Sequence, residues 1–438
     1  MKRLALTALK AWKEKASRKP LILRGARQVG KTWLMKTFGE TAYEQCIYIN
    51  FETNKQVASL FDDDFDLQRI ILALEIESNI TINPNNTLII FDEIQAVDRA
   101  LTSLKYFQEL APEYHIMAAG SLLGIALHKN TSFPVGKVEF LDLYPLNFIE
   151  FMHAMDENRL VDLLISQNWS LITTFKAKYI QLLKHYYYIG GMPEAVLEFS
   201  VNQNFKEVRE IHQRILTAYE QDFSKHAPHE IVPRIRMLWS SIPVQLAKEN
   251  RKFIYGVIKE GARAKDYELA LLWLLDCGLI HKVNRISKPA MPLKAYEDFS
   301  AFKLFLVDVG LLATMGNIDV KTLLDGNAVF EEFKGALTEQ YVLQQLLLNK
   351  ELVTYYWSAE KSQGELDFLI QYEGKIVPIE VKAEENLQAK SLKSYRQKYN
   401  PTLSIRTSMS DYRDEEWLIN VPLYGIGLLD KLIEENSI

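Results

Sequence analysis

Residues 20–39 read PLILRGARQVGKTWLMKTFG, and the fold of the N-terminal third turns on how this stretch is parsed. Leu21 to Leu23 are a short apolar run of the kind that makes a buried strand. From Lys31 onward, apolar residues recur at helical spacing. Between the two, GARQVGKT satisfies G-x-x-x-x-G-K-[ST] in full. Gly25 and Gly30 permit backbone angles at which successive N–H groups converge on one anion. A helix starting at Lys31 would add the positive end of its dipole. Lys31 offers a point charge for β- and γ-phosphates, and Thr32 a hydroxyl for Mg²⁺. The expected nucleotide-binding loop is therefore Gly25, Ala26, Arg27, Gln28, Val29, Gly30, Lys31, Thr32 and Trp33, with ATP and Mg²⁺ as its ligands. A glycine-rich turn that binds nothing is the competing reading, and the strand before and helix after argue against it.

A second apolar run, NTLIIFDEIQAV at 86–97, places Leu88 to Phe91 in a central parallel strand. Ligands of open α/β sheets bind at the carboxyl ends of such strands, and this one ends in Asp92 and Glu93. Asp92 is expected to hold Mg²⁺ and Glu93 to polarise the attacking water. A third strand, YHIMAAGS, ends in Ser121. Ser121 reads equally as a sensor of the γ-phosphate and as the N-cap of the helix after it, and the two roles are compatible.

The 438 residues suggest about two to four domains. A net charge of −5 argues against a globally basic nucleic-acid binder while permitting a local basic patch. The two cysteines, Cys46 and Cys277, support neither a disulfide framework nor a zinc site, which fits a reducing cytoplasmic setting. The N-terminal MKRLALTALKAWKEKASRKP carries charges throughout and lacks the apolar core of a signal peptide. Leu4, Leu6, Leu9 and Trp12 instead suit an amphipathic helix. No window approaches the ~18–20 apolar residues that span a bilayer, so a soluble protein without a membrane partner is expected.

GARQVGKT, LIIFDEIQ, AAGSLLG, VGKVEFLDLYPLNFIEF and YIGGMPEAV, in that order, resemble a family of prokaryotic AAA-type ATPases whose core is followed by a C-terminal domain of unknown function. The resemblance implies an ATPase core over 1–155 and a helical lid over 156–225. It also implies a γ-phosphate finger where the family carries Gly-Arg before its PL-F-EF block. This chain has Gly136-Lys137 there, which keeps the charge and loses the planar fork. On this reading Lys137 contributes to hydrolysis, within one chain or across a homo-oligomer boundary.

Short helices, a turn at Gly261, a longer helix and a strand after Gly278 suit a winged helix over 226–318. Its second helix, KDYELALLWLLDCG, carries Asp266 and Glu268 where a reader of base edges wants basic or amide residues, so protein contact is favoured over DNA reading.

The last segment, 327–438, orders a helix, a strand, a hairpin and a helix as in the core of PD-(D/E)xK nucleases. Its GELDFLIQYEGKIVPIEVKA, residues 364–383, puts charges inside strand-forming sequence. With a period of two, Glu380 and Lys382 share one face, and Glu365 and Asp367 oppose Leu366, Phe368 and Ile370. If the strands pair, Asp367 and Glu380 converge on one Mg²⁺ or Mn²⁺, Lys382 sits beside the attacking water, and Glu339 adds a carboxylate. A site that kept the shape and lost turnover, and a plain salt-bridge ladder, are the competing readings. The expected whole is an α/β protein: a P-loop sheet with a helical lid, a winged-helix middle and a nuclease-like C-terminal α/β domain. It couples ATP to action on DNA or RNA, or else works as a nucleotide-switched interaction protein with an inactive nuclease-like domain.

Overall fold

Five short strands, β1 (Leu21–Arg24), β2 (Gln45–Asn50), β3 (Thr87–Asp92), β4 (His115–Ala119) and β5 (Glu139–Asp142), form one sheet in the order β2-β3-β4-β1-β5. Every pairing is parallel. β3 and β4 are buried along their whole length, as strands covered on both faces must be, which is why they read as unbroken apolar runs. The computed structural model describes residues 1–62, 64–120, 133–248, 252–325, 331–359, 364–385 and 387–435. They divide into two compact units: Lys2–Tyr144 with Asp276–Leu279, and Pro145–Leu275 with Ile280–Ile438.

In the first unit the helix Ala5–Glu14 buries Leu9 and Trp12, while Leu4 stays exposed. Arg3 is buried, and its guanidinium donates to the carbonyls of Val29 (3.2 Å) and Tyr144 (2.7 Å). The N-terminal segment therefore braces the loop after β1 as well as covering apolar surface.

The second unit begins with helices, among them Lys176–Ile189, Pro193–Asn202 and Phe205–His226. Gly190, at φ +67°, has no room for a side chain: a Cβ there would stand 2.0 Å from Asp308 Oδ1. The buried Asp308 carboxylate accepts from the backbone N–H of Gly191, Gly310 and Leu311 and from the Gln344 amide. The glycine pair between these helices is thus a docking point for a carboxylate 117 residues away.

The helices Val232–Leu246, Tyr255–Ile258 and Ala264–Asp276 lead into an antiparallel pair, β6 (Ile280–Ile286) and β7 (Glu297–Leu306). Helices and an antiparallel pair thus follow one another along the chain. However, β6 also pairs in parallel with β8 (Val353–Ser358). With β9 (Glu365–Tyr372), β10 (Lys375–Val381), β11 (Ser404–Ser408), β12 (Arg413–Asp414) and β13 (Leu418–Pro422), it builds one eight-stranded sheet ordered β12-β13-β11-β10-β9-β8-β6-β7. Segments expected as separate domains thus share a sheet. Gln340 on the helix Glu331–Leu346 exchanges two hydrogen bonds with the backbone of Leu306, closing the end of edge strand β7. Among the described residues, no helix is long and apolar enough to cross a membrane.

Candidate functional site

The loop after β1 owes its shape to two glycines and one neighbour. Gly25 sits at φ +144°, and a Cβ there would fall 2.2 Å from the carbonyl oxygen of Leu143, just beyond β5. Gly30, at φ +95°, caps the helix Lys31–Ala42, whose first N–H groups are left open at the loop. Gln28 is held in the left-handed region, at φ +68°, despite its side chain. Ala26 and Val29 are buried, whereas Trp33 is 42% exposed on the outer side of the helix. The Lys31 ammonium, buried in this cradle, donates to the carbonyls of Gly25 (2.8 Å) and Ala26 (2.9 Å). Burial lowers its pKa to about 8, against the opposing charges of Glu93 and Asp92.

β3 delivers the acids. Asp92 is 3% exposed, and its Oδ2 accepts from Thr32 Oγ1 (2.7 Å) and Tyr48 OH (2.8 Å), while Oδ1 accepts from the Glu93 N–H (3.1 Å). Three donors offset the cost of burying this carboxylate. The paired oxygens of Thr32 and Asp92 beside a lysine are the hard donor set that a divalent cation on a polyphosphate requires. Tyr48 was not anticipated from the sequence. It lies on β2, its ring beneath the Lys36 ammonium at 3.7 Å, and its hydroxyl pKa is pushed up to about 12, chiefly by burial. Its signal was present in QCIYIN, where Tyr48 is level with Ile90 of β3, two residues short of Asp92. The strand order places β4 between β1 and β3. Ser121 itself lies outside the described residues.

Lys137 is not brought to this cradle. β5 runs parallel to β1 with Glu139 level with Leu21, so Lys137 precedes the strand at the sheet edge opposite the loop that follows Arg24. There its ammonium pairs with Glu109 at 2.9 Å. The expected contact with a γ-phosphate of the same chain is corrected on this ground: parallel strands keep their starts and ends on opposite edges.

The acids of β9 and β10 are only partly assembled as expected. The two strands pair antiparallel, and one step beyond the last registered pair, Ile379 with Phe368, the register sets Glu380 beside Asp367. Burial raises the pKa of the Glu380 carboxyl, and Asp367 adds to the rise, while Lys382 at 2.8 Å opposes it. Glu380 Oε2 is buried without a hydrogen-bond partner. The Asp367 carboxylate is engaged by the N–H of Val381 at 2.7 Å.

The face assignment of Glu365 is corrected. Between β8 and β9 the pairing slips, from Tyr355 opposite Leu369 to Trp357 opposite Leu366, which inserts one extra residue in β9. Leu366 and Leu369 therefore both enter the apolar cluster of Trp357, Leu392 and Tyr395. Phe368 is turned the other way, its ring centre 5.9 Å from that of Phe305. Glu365 parts from Asp367 and pairs with the fully buried Lys303 of β7 at 2.6 Å. Glu339 is drawn to the same ammonium at 3.7 Å. Among the described residues, no group of three His, Cys, Asp or Glu side chains is arranged to hold a metal ion.

On the helix Ala264–Asp276 the exposed positions include Lys265, Glu268, Leu269 (65% exposed) and Leu272 (48%), an apolar and mixed-charge face.

Residues 17–152 match the family model described as "AAA domain". Residues 180–322 and 334–424 match two models described as domains of unknown function, DUF8612 and DUF4143. No curated protein matches the chain. Three of the solved structures that are similar at low identity illustrate the match. A Walker-type ATPase of Pyrococcus abyssi is 14% identical, with a TM-score of 0.45, covering 72% of this chain and 95% of its own. The Aeropyrum pernix ORC1 protein in complex with DNA is 12% identical, at 0.27, covering 72% and 90%. AMPPCP-bound DnaA from Aquifex aeolicus is 13% identical, at 0.28, covering 62% and 86%. Residues 17–152 thus combine a match to an AAA domain with a parallel five-stranded sheet, and a mixed α/β region follows them.

Proposed function

We propose that this chain is a Mg·ATP-dependent switch: it hydrolyses ATP at the β1–β3 site and uses its C-terminal α/β region to dock a partner. The observation that carries the first half is the contact of Thr32 Oγ1 with Asp92 Oδ2, beside a lysine that now satisfies itself on loop carbonyls. Incoming phosphates replace those carbonyls as partners of Lys31, and the loop N–H groups receive the remaining oxygens. Thr32 and Asp92 would hold Mg²⁺, which would supply charge neutralisation on the phosphates. Glu93, next to the buried Asp92, orients and deprotonates the water. Glu93→Gln should retain ATP and lose turnover, and a Glu93→Gln chain that hydrolyses ATP like its parent would refute this assignment.

The docking half rests on the acids of the C-terminal sheet. Lys303 engages Glu339 and Glu365, Lys382 engages Glu380, and the Val381 N–H engages Asp367, so protein donors already serve the candidate ligands of a nuclease metal. A second reading, metal-dependent cleavage of DNA or RNA, is favoured by one observation, the orphaned Oε2 of the buried Glu380 beside Asp367. Titration calorimetry of the full chain with Mn²⁺ separates the two. Binding that is lost in Asp367→Ala, together with cleavage lost in Lys382→Ala, would displace the docking reading.

A further inference from the structure

The acids at the end of β3 are followed at once by a tight turn, Ile94–Ala96, closed by Ala96 N–H to Glu93 O (2.9 Å) and Val97 N–H to Ile94 O (3.1 Å). Ile94 is fully buried and pins the turn to the core. Two local costs are concentrated there. Glu93 sits at φ +51°, in the left-handed region that a side chain adopts only when its surroundings impose it. Gln95 donates from Nε2 to Glu93 Oε2 at 2.6 Å, while its own Oε1 is buried with no hydrogen-bond partner. An amide that leaves its acceptor unsatisfied while its donor grips a carboxylate calls for an explanation beyond stability. The gripped carboxylate is the one whose charge acts most strongly on Lys31 in the phosphate cradle.

We infer that Gln95 is a positioning residue for ATP hydrolysis, holding the Glu93 carboxylate toward the phosphate cradle so that it meets the lytic water in one orientation. The inference rests on the reading of Glu93 as the water-polarising base. The donor fixes one carboxylate oxygen and with it the plane of the carboxylate. The left-handed backbone at Glu93 sets the direction from which the side chain enters. Nothing in this arrangement binds nucleotide, so the effect falls on turnover.

The test is steady-state Mg·ATP hydrolysis by the full chain, with nucleotide affinity measured separately. Gln95→Met keeps the length of the side chain and loses the donor. Its kcat should fall about tenfold or more, the loss expected of a hydrogen bond to a charged group, while KM stays within about twofold. Gln95→Glu replaces the donor with a second carboxylate against Glu93, so it should be at least as impaired. In a Glu93→Gln background, Gln95→Met should lower the residual rate no further, since the two act as one unit. Parent-like kcat in both Gln95 variants, a raised kcat, or a KM that climbs in step with the loss would overturn the inference. If Glu93→Gln is inactive and the Gln95 variants are parent-like, only the positioning role fails. If Glu93→Gln turns over normally, the reading beneath it fails first.

Discussion

Lys31 offers a measurement in which the depressed pKa of one buried group becomes a proton count. In the free chain, burial lowers the ammonium to about 8. Bound phosphates place negative charge against it and return its pKa toward the ordinary lysine value, because opposite charges at hydrogen-bond distance favour the ionised form. Nucleotide binding therefore takes up a proton wherever free Lys31 is neutral. With a free-state pKa of about 8, the neutral fraction is roughly 0.2 at pH 7.5 and about 0.9 at pH 9. The uptake per ATP should follow those values. The sign is fixed: a group with a higher pKa in the complex than in the free protein weakens binding as pH rises. Between those two pH values affinity should drop about eightfold. The assay is titration calorimetry with ATP and a chelator, so that no divalent ion contributes, repeated in two buffers of different ionisation enthalpy. Lys31→Met should abolish both the uptake and the pH dependence while retaining residual binding by the loop backbone. Uptake near zero at pH 9 in the parent chain would refute the burial argument, since it would mean that Lys31 is already charged in the free cradle.

Three further outcomes follow from particular contacts. Lys137→Ala should leave kcat and KM for ATP within about twofold of the parent in steady-state assays, because its ammonium pairs with Glu109 at the far sheet edge; a turnover loss of tenfold would place it at a neighbouring subunit's phosphates. Asp308→Ala should destabilise the chain by about 3 kcal/mol or more in urea denaturation, because four buried donors lose their acceptor. Asp308→Asn, which keeps one acceptor, should recover part of that loss, and an Asp308→Ala chain as stable as its parent would contradict the accounting. His212, fully buried with Nε2–H donating to Ile189 O at 3.0 Å, has its pKa lowered to about 3, first by burial and then by Arg209. The unfolded chain takes up the proton that the fold refuses, so stability should fall as pH drops below about 6.5, by about 1.4 kcal/mol per pH unit. His212→Gln should flatten that slope in denaturation midpoints measured between about pH 7 and 5, and an unchanged slope would place the titration elsewhere.

The residues grouped around Lys31 were legible in the chain alone. GARQVGKT and FDEIQ are local: a strand end, a glycine-bounded turn and a helix start sit on consecutive residues, and backbone geometry alone brings Lys31, Thr32, Asp92 and Glu93 to one edge of a parallel sheet. The order of elements in the last segment was legible for the same reason, since periodicity is a property of neighbours along the chain. The features that could not be read this way depend on partners distant in sequence. Tyr48 and Arg3 reach the cradle because β2 lies beside β3 and the N-terminal segment folds against the loop. Lys137 is excluded from it by strand direction, which a count of residues does not carry. The acids of β9 show the reason most plainly. Alternation assigns faces correctly until one extra residue enters a strand, and the slip opposite Trp357 is set by how β8 packs, not by any residue type in GELDFLIQ. That single insertion separates Glu365 from Asp367. It gives Glu365, with Glu339, to a lysine on β7 and leaves Asp367 with Glu380, because side-chain direction is inherited from backbone register and register is settled only when the strands pair.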